Sequence, residues 1–271
     1  MKYLDESALN KYREDGYIVV DDIIDPSLCD TLNEYVQKNK STNVDRTKEI
    51  DKDFPFSDIL GTKVFINTLD EDSTSNPFSL INYGEITRKA SFLAGQSMTP
   101  SFKKVYLKSA FQGDCEVYHQ DYEYNMDKGG ATHPFKDYIQ CFIALEDHTA
   151  LGGCLNIMRG SHKRGRIPHD LVMTRNGISK LTINPQVLKE LSENDDFQPL
   201  HLKKGSCVFF SYITVHGSAS NSSPFDQTRM VVEYMGESKR HDDEKTKTFL
   251  SRRRKQERGI LQSMLDSLPP I

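Results

Sequence analysis

The sequence of 271 residues has no tryptophan, no C-x-x-C pair and no long apolar run. None of its apolar stretches approaches the roughly 18 residues that a membrane helix requires, so we expect no membrane partner. The start, MKYLDESALNKY, is charged and lacks the apolar segment of a secretory signal, which predicts a cytoplasmic protein. The five cysteines are an odd number, which favours free thiols over a disulfide framework or a Cys-rich zinc site.

A strong charge of one sign is also lacking. The chain has 35 Lys and Arg against 39 Asp and Glu, a net charge of −4, which disfavours a general polyanion binder and predicts no nucleic-acid partner. Residues 239–258 hold nine basic and four acidic side chains, including RRRK at 252–255. We interpret this run as a solvated helix face, with contact to nucleic acid or acidic lipid as the alternative.

What the chain does contain is a regular order of predicted elements. Asp5 can cap a helix that runs to about Arg13, YIVVDDII predicts a strand, and a second helix is expected from Pro26. Residues 77–98 predict one helix, with Phe78, Ile81, Ile86 and Phe92 on one side. Residues 40–58 and most of 170–200 are expected to be loops, with a short helix at NPQVLKELSEN.

From residue 103 onward, short β-like runs follow one another, separated by turn-forming residues. They are KVYLKSAF, CEVYHQ, YIQCFIAL, CLNIM, CVFFSYITVH and RMVVEYM. Many short strands with turn signals indicate a sandwich or barrel rather than βαβ units. We therefore predict a mainly β fold with flanking helices in a single domain, 1–271. Its parts are a helix and strand region at 1–100, a β core at 101–236 and a C-terminal helix at 244–268.

Metal-ligand residues are concentrated in two of these strands. His119 and Asp121 stand two residues apart in VYHQDY, and alternate residues of a strand point to the same face. His216 ends the apolar run CVFFSYITVH. Two histidines and one carboxylate form the facial triad of non-haem Fe(II) oxygenases. Each residue alone has an ordinary explanation, such as a capping carboxylate or a histidine bonded to backbone, and only their joint occurrence favours a metal site.

Arg229 follows His216 by thirteen residues and begins the run RMVVEYM. A strand returning from the second histidine could place its guanidinium in the same cavity, where the planar fork matches a carboxylate. A co-substrate that chelates iron at one end and carries a carboxylate at the other, such as 2-oxoglutarate, would use this arginine. A surface salt bridge is the alternative.

The sequence resembles the phytanoyl-CoA dioxygenase (PhyH) superfamily of Fe(II)/2-oxoglutarate oxygenases over most of its length. The segments that carry the resemblance are YREDGYIVVDDIIDPSLCDTL, YHQD, GGCLNIMRGSHKRG and LKKGSCVFFSYITVHGSASNSS. The resemblance implies a double-stranded β-helix, which is a jelly-roll or cupin-like core, with O2 as the second co-substrate. It also assigns the iron ligands to His119, Asp121 and His216, and 2-oxoglutarate binding to Arg229, Ser218 and Lys108.

Within the family, LKSAFQGDCEVYHQDY is most similar to ectoine hydroxylases. Tyr106 departs from their asparagine, Arg159 replaces the proline of the Pro-Gly-Ser-His turn, and the tryptophans of those enzymes are missing. These departures leave the cofactor chemistry in place and make ectoine a doubtful substrate.

The expected activity is oxidation of an unactivated C–H bond in a small polar metabolite, such as an amino-acid derivative or a natural-product intermediate. Hydroxylation is the default outcome, with desaturation or cyclisation as variants, in a monomer or homodimer. An acyl-CoA substrate and a non-catalytic jelly-roll binding protein are the alternatives. The candidate substrate residues are Gln112, Tyr122, Tyr124, His133 and Arg159.

Three further histidines are weaker candidates for a functional role. His162, in the turn RGSHKRG, is expected to be structural rather than a metal ligand. His133 and His148 lie in loop-like surroundings, from which either could reach substrate, but a surface position is the favoured interpretation.

Overall fold

A computed structural model describes residues 4–39, 62–66, 76–124, 134–173, 179–193 and 197–237. The predicted loop at 40–58 and the predicted C-terminal helix at 244–268 lie outside the described residues. The α-helices are Glu6–Asp15 (α1), Pro26–Asn39 (α2), Tyr83–Ala94 (α3), Asp121–Tyr124 (α4), Pro134–Asp137 (α5) and Pro185–Ser192 (α6). The strands are Tyr17–Val20 (β1), Thr62–Ile66 (β2), Met98–Lys108 (β3), Glu116–His119 (β4), Tyr138–Ala144 (β5), Leu155–Met158 (β6), His169–Met173 (β7), Ser179–Ile183 (β8), Phe197–Pro199 (β9), Cys207–Ser211 (β10), His216–Ser218 (β11) and Gln227–Gly236 (β12).

Helices α1 and α2 form where the sequence predicts them, whereas the strand predicted at YIVVDDII covers only Tyr17–Val20. The carboxylate of Asp5 accepts a hydrogen bond from the Ala8 amide at 2.9 Å, which satisfies a free N–H of the first turn of α1. Gly16 ends α1 with φ +84°, and a Cβ there would lie 2.4 Å from Nδ1 of His162. Only glycine combines this backbone conformation with so close an approach of another side chain.

The single helix predicted over 77–98 is wrong. A 3-10 turn at Pro77–Leu80 is followed by α3, because Asn82 caps a new helix by accepting a hydrogen bond from the Glu85 amide. Gly95 then ends α3 in the left-handed conformation, before β3 begins at Met98. Phe92 follows Ile86 by six residues on α3, about 240° of helix rotation, so it lies off the buried face and 37% of its surface is exposed.

Two sheets build the core of the structure. The larger sheet has the strand order β1-β10-β5-β12-β3-β2, the smaller sheet has the order β4-β11-β6-β9, and β7 pairs with β8 in a separate hairpin. The pairs within these sheets are antiparallel. This arrangement of mostly short antiparallel strands in two facing sheets is the predicted jelly roll.

Alternating residues of the larger sheet pack into two different apolar clusters. On β12, Met230, Val232 and Tyr234 pack with the helices α1, α2 and α3 on the outer face. Val231, between them, joins the second apolar cluster, which includes Phe142 of the larger sheet and Ile157 of the smaller sheet. In the larger sheet, the side chains that alternate with those packed against the helices therefore point into the space between the two sheets. This inner face carries the polar residues described below.

Two predicted elements need correction. The run 207–216 is not one strand: β10 ends at Ser211, a turn follows, and His216 starts β11 in the other sheet. The region 170–200 is not mainly loop, because it contains the hairpin β7 and β8, the short helix α6 and the strand β9. Among the described helices, none is both long and apolar enough to cross a membrane.

Candidate metal centre

His119, Asp121 and His216 converge on one point between the two sheets. One ligand atom from each lies within 4.8 Å of the others. The Nε2 atoms of His119 and His216 lie 3.4 Å and 3.6 Å from the two oxygens of the Asp121 carboxylate. Two ligand atoms at right angles, each about 2.1 Å from a metal, lie about 3 Å apart, so the three side chains have nearly the spacing of a coordination site. The predicted triad is thus brought together.

Backbone carbonyls fix the orientation of both imidazole rings. Nδ1 of His119 donates to the carbonyl of Val117 at 2.7 Å, and Nδ1 of His216 donates to the carbonyl of Thr214 at 3.0 Å. A ring that donates from Nδ1 leaves its Nε2 lone pair for a metal. Both Nε2 atoms face Asp121, so the tautomer that each carbonyl selects is the one that metal binding requires.

Asp121 reaches this point by a different route from the one predicted. Strand β4 ends at His119, and Asp121 begins the short helix α4, so strand alternation does not place the two side chains together. The fully buried Gln120 anchors the turn between them. Its side-chain amide donates to the carbonyls of Gly165 and Ile213 at 2.8 Å and 2.7 Å, and its oxygen accepts from the Ile167 amide at 2.8 Å.

His169 supports the same turn and was not identified from the sequence. Its Nε2 accepts a hydrogen bond from the Gln120 backbone N–H at 2.9 Å, and its Nδ1 donates to the carbonyl of Ile167 at 2.7 Å. The ring is therefore held as a neutral acceptor. It fixes the peptide between the two ligands without reaching the metal position itself.

The charges of the three ligands favour a bound cation. Burial alone would raise the pKa of the Asp121 carboxyl, but the charge of His216 and the hydrogen bonds of His119 and Gln140 outweigh burial and lower it. Burial lowers the pKa of His216 to about 4, against the opposing charge of Asp121. Burial would also lower the pKa of His119, but its bond to Asp121 raises it. Asp121 and His216 are thus in the deprotonated forms that bind metal.

Residues of the larger sheet complete the walls around the ligands. The amide of Gln140 on β5 donates to Oδ2 of Asp121 at 2.8 Å. The ring of Phe210 on β10 lies 4.7 Å from the His216 ring, and the two imidazoles are 4.3 Å apart. Gln140 was not predicted, because a glutamine in an apolar strand gives no sequence signal of the register that brings it to Asp121.

Arg229 is a buried cation on the inner face of β12. Its guanidinium carbon lies 4.8 Å from the ring centroid of Tyr106 and 5.8 Å from that of Phe142. Within the part of the chain that the structure describes, no carboxylate forms an ion pair with it. A buried guanidinium between two aromatic rings is poorly solvated, so it is well suited to an incoming carboxylate.

Lys108 and Ser218 lie next to this arginine. Lys108 and Arg229 are diagonal neighbours on β3 and β12, since Lys108 pairs with Gln227 and Arg229 pairs with Tyr106. The Lys108 ammonium donates to the hydroxyl of Ser218 at 2.8 Å and also to the carbonyl of Ala219. Burial and the charge of Arg229 lower the pKa of Lys108 to about 7. The three residues named for the co-substrate therefore form one cationic cluster.

The predicted substrate residues do not share one place. The Tyr124 ring lies 5.4 Å from the His119 ring, and its hydroxyl bonds to the backbone of Leu181 in the hairpin. Tyr122 packs against a cluster that contains Tyr138, Tyr212 and Met235. Gln112 and Arg159 are both exposed. His133 lies outside the described residues.

Two other histidines have structural roles. His162 is buried, its Nε2 donates to the carbonyl of Arg13 at 2.9 Å, and its ring stacks on Phe135 at 4.9 Å, which confirms the structural interpretation. The surface position predicted for His148 is wrong. Its ring is buried and donates to the carbonyl of Thr228 at 3.1 Å, and burial lowers its pKa to about 4.

Comparison with known proteins agrees with this geometry. Residues 12–231 match the family model of phytanoyl-CoA dioxygenase (PhyH). Ectoine dioxygenase of Bordetella bronchiseptica is 23% identical over 245 residues, which cover 85% of this chain and 75% of that protein.

Solved structures share the fold. EctD from S. alaskensis, crystallised with 2-oxoglutarate and 5-hydroxyectoine and separately with bound Fe, has a TM-score of 0.67 at 20% identity, covering 88% of this chain and 78% of that one. The α-ketoglutarate-dependent carbocyclase SnoK from nogalamycin biosynthesis has a TM-score of 0.60 at 19% identity, covering 86% and 84%.

Proposed function

Because the chain belongs to the phytanoyl-CoA dioxygenase family, we propose that it is an Fe(II)/2-oxoglutarate-dependent dioxygenase that oxidises a C–H bond of a small polar metabolite. The observation that carries the proposal is the convergence of two oriented imidazoles and one carboxylate in a buried site. This donor set leaves three coordination positions open and suits Fe(II), whereas a closed zinc site would require a fourth protein ligand.

The residues present fit the metal. Nε2 of His119, Nε2 of His216 and a carboxylate oxygen of Asp121 would hold it, and Gln140 would keep the second carboxylate oxygen in place. When bound, Fe(II) with 2-oxoglutarate and O2 supplies the oxidative decarboxylation that releases succinate and CO2 and the oxidation of a substrate C–H bond. The protein's own part is to orient the three ligands and the two organic molecules.

The cationic cluster fits the distal carboxylate of 2-oxoglutarate. Arg229 would bind this carboxylate with two parallel hydrogen bonds, the Ser218 hydroxyl would donate a third, and Lys108 would hold that hydroxyl in place. A dianion would also favour the protonated form of Lys108, whose pKa burial and the charge of Arg229 lower to about 7. Binding of the co-substrate is thereby coupled to the protonation of Lys108.

The remaining features concern substrate and location. A small polar substrate agrees with the polar inner face of the larger sheet, where Lys104, Tyr106 and Gln140 line the space near the ligands.

All five cysteines are free thiols, four of them buried, which supports a reducing cytoplasmic location. Hydroxylation is the default outcome of this chemistry.

Release of succinate tests the proposal. Protein incubated with Fe(II), 2-oxoglutarate and O2 should form succinate, and EDTA should abolish the product. His119→Ala should be inactive, whereas His201→Ala, which removes an exposed histidine, should match the wild type. Succinate release that is equal in His119→Ala and the wild type would contradict the assignment, and its absence throughout would leave a non-catalytic binding protein.

A further inference from the structure

One ion pair on the inner face of the larger sheet has no part in holding the metal or the distal carboxylate of 2-oxoglutarate. The Lys104 ammonium on β3 lies 2.9 Å from Oε1 of Glu233 on β12. The Tyr212 hydroxyl donates to Oε2 of the same glutamate at 2.9 Å. Both glutamate oxygens are thus occupied by protein donors, and the pair is fixed from two sides.

The strand register places this ion pair beside the metal ligands. Glu233 pairs directly with Gln140 on β5, and Gln140 donates to the carboxylate of Asp121. Gln140 in turn pairs with Phe210, whose ring contacts His216. Glu233 therefore lies at the level of the metal ligands along the sheet.

Arg229 lies on the same face of β12 but four residues away, which is about 13 Å along the strand. Lys104 leans toward Glu233, and so away from Arg229. The two charged groups of β12 thus stand at separate levels of the cavity. If the co-substrate extends from the metal to Arg229, the ion pair lies on the side that remains for the substrate.

Stability alone does not account for the pair. Charges taken out of water lose about as much free energy in desolvation as they regain by attraction, so a buried ion pair adds little to stability. The lysine is also the more accessible partner, with 23% of its side chain exposed against 9% for the glutamate. The group that a ligand meets first is therefore a fixed, positively charged ammonium.

We propose that Lys104, oriented by Glu233 and Tyr212, binds an anionic group of the substrate, so that the enzyme acts on a compact carboxylic acid. This inference rests on the proposed dioxygenase function. An acyl chain beside the metal would cover the Lys104–Glu233 ion pair with methylene groups. This would remove the water that still solvates the pair, which is unfavourable. The ion pair therefore disfavours acyl-CoA substrates and favours amino-acid-like molecules.

The test compares small carboxylic acids with their uncharged primary amides. The probes are cyclic and linear amino acids and their N-acetyl derivatives, each paired with its amide. Binding is measured anaerobically as the shift in melting temperature of protein loaded with Mn(II) and 2-oxoglutarate, and turnover as substrate-stimulated succinate release. The variants are Lys104→Met, Lys104→Arg and the double change Lys104→Met with Glu233→Gln, which avoids an unpaired glutamate. Lys103→Met is the matched control, because Lys103 lies over the Tyr83 ring on the other face of β3.

At least one carboxylate should bind and stimulate turnover, and its amide should be weaker by about tenfold or more, the usual effect of losing a hydrogen bond between charged groups. Lys104→Met and the double variant should abolish this preference, Lys104→Arg should keep part of it, and Lys103→Met should leave it unchanged. Equal responses to acids and amides, or no response to any acid, would overturn the proposal. So would a preference that survives in Lys104→Met while the KM for 2-oxoglutarate rises, because the lysine would then serve the co-substrate.

The binding arm separates this proposal from the dioxygenase function. Lys104-dependent binding of carboxylates without succinate formation would support the anionic site and refute the dioxygenase. Succinate formation with no distinction between acids and amides would do the reverse.

Discussion

Removal of the guanidinium of Arg229 gives a quantitative test of the co-substrate site. Arg229→Met keeps an apolar stem of similar length and removes the charged fork that we assign to the distal carboxylate of 2-oxoglutarate. A hydrogen bond to a charged group contributes about 1.5–3 kcal/mol. Since each 1.4 kcal/mol is a factor of ten, loss of one of the two bonds assigned to Arg229 should raise the KM for 2-oxoglutarate by roughly 10- to 150-fold, and loss of both should raise it further.

The same substitution should leave the ligand-free protein as stable as before. Arg229 is buried, and within the described residues no carboxylate would lose an ion-pair partner. Burial of an uncompensated cation is unfavourable, so its removal should leave the melting temperature unchanged or raise it. A structural salt bridge predicts the opposite, a fall in stability with normal 2-oxoglutarate kinetics.

The assay measures succinate release over a range of 2-oxoglutarate concentrations, together with melting curves without ligand. Arg229→Lys should recover only part of the affinity, because an ammonium cannot make two parallel bonds to one carboxylate. Arg88→Met, which removes an exposed arginine of α3, is the control and should behave as the wild type. An unchanged KM in Arg229→Met would show that Arg229 does not bind the co-substrate and would assign the distal carboxylate to another cation.

Four further predictions concern the candidate metal and co-substrate sites. Gln120→Ala should destabilise the protein by about 3 kcal/mol, because the carbonyls of Gly165 and Ile213 and the amide N–H of Ile167 lose their buried hydrogen-bond partner. An unchanged denaturation midpoint would contradict the role of Gln120 in holding the turn. The pKa of Lys108 is lowered to about 7 in the folded protein, whereas an unperturbed lysine has a pKa of about 10.4. Between about pH 7 and about pH 10 the unfolded chain therefore binds one more proton at this residue than the folded chain does. The free energy of unfolding of the ligand-free protein should rise with pH across this window. A dianion beside Lys108 should restore its proton, so calorimetry near pH 8 should show proton uptake when 2-oxoglutarate binds, and heats that do not depend on the buffer would argue against this contact. Fe(II) added anaerobically should raise the melting temperature of the wild type and EDTA should reverse the shift, since a ligand that binds only the folded state stabilises it.

The residues of the candidate site could be predicted from the sequence because they combine residue type with strand context. His119, His216 and Arg229 each stand at or near the end of an apolar run, where a polar side chain can enter a cavity. Asp121 was expected on the same strand as His119, but the chain leaves the strand at His119 and the side chain of Gln120 holds the turn that follows. Spacing alone cannot separate these two geometries, because both bring residues i and i+2 to one point.

The ion pair and the wall around the metal could not be predicted from periodicity. In KVYLK, the alternation of Lys104, Tyr106 and Lys108 with apolar residues is typical of a sheet whose polar face meets solvent. In the structure that polar face is the inside of the jelly roll, and the apolar face packs on the helices. The hydrophobic pattern gives the two faces but not which of them is enclosed. Contacts such as Glu233 with Gln140 depend on strand register, which becomes visible only in the folded chain.

We propose that His119, Asp121 and His216 together hold one Fe(II), and an anaerobic titration with Fe(II) measures this binding. The wild type should bind one equivalent. Asp121→Ala should bind much more weakly, because it removes the charge and one of three ligand atoms, while its melting temperature without metal should change little. A wild type that binds no Fe(II), or an Asp121→Ala variant that binds one equivalent as tightly as the wild type, would contradict this metal site.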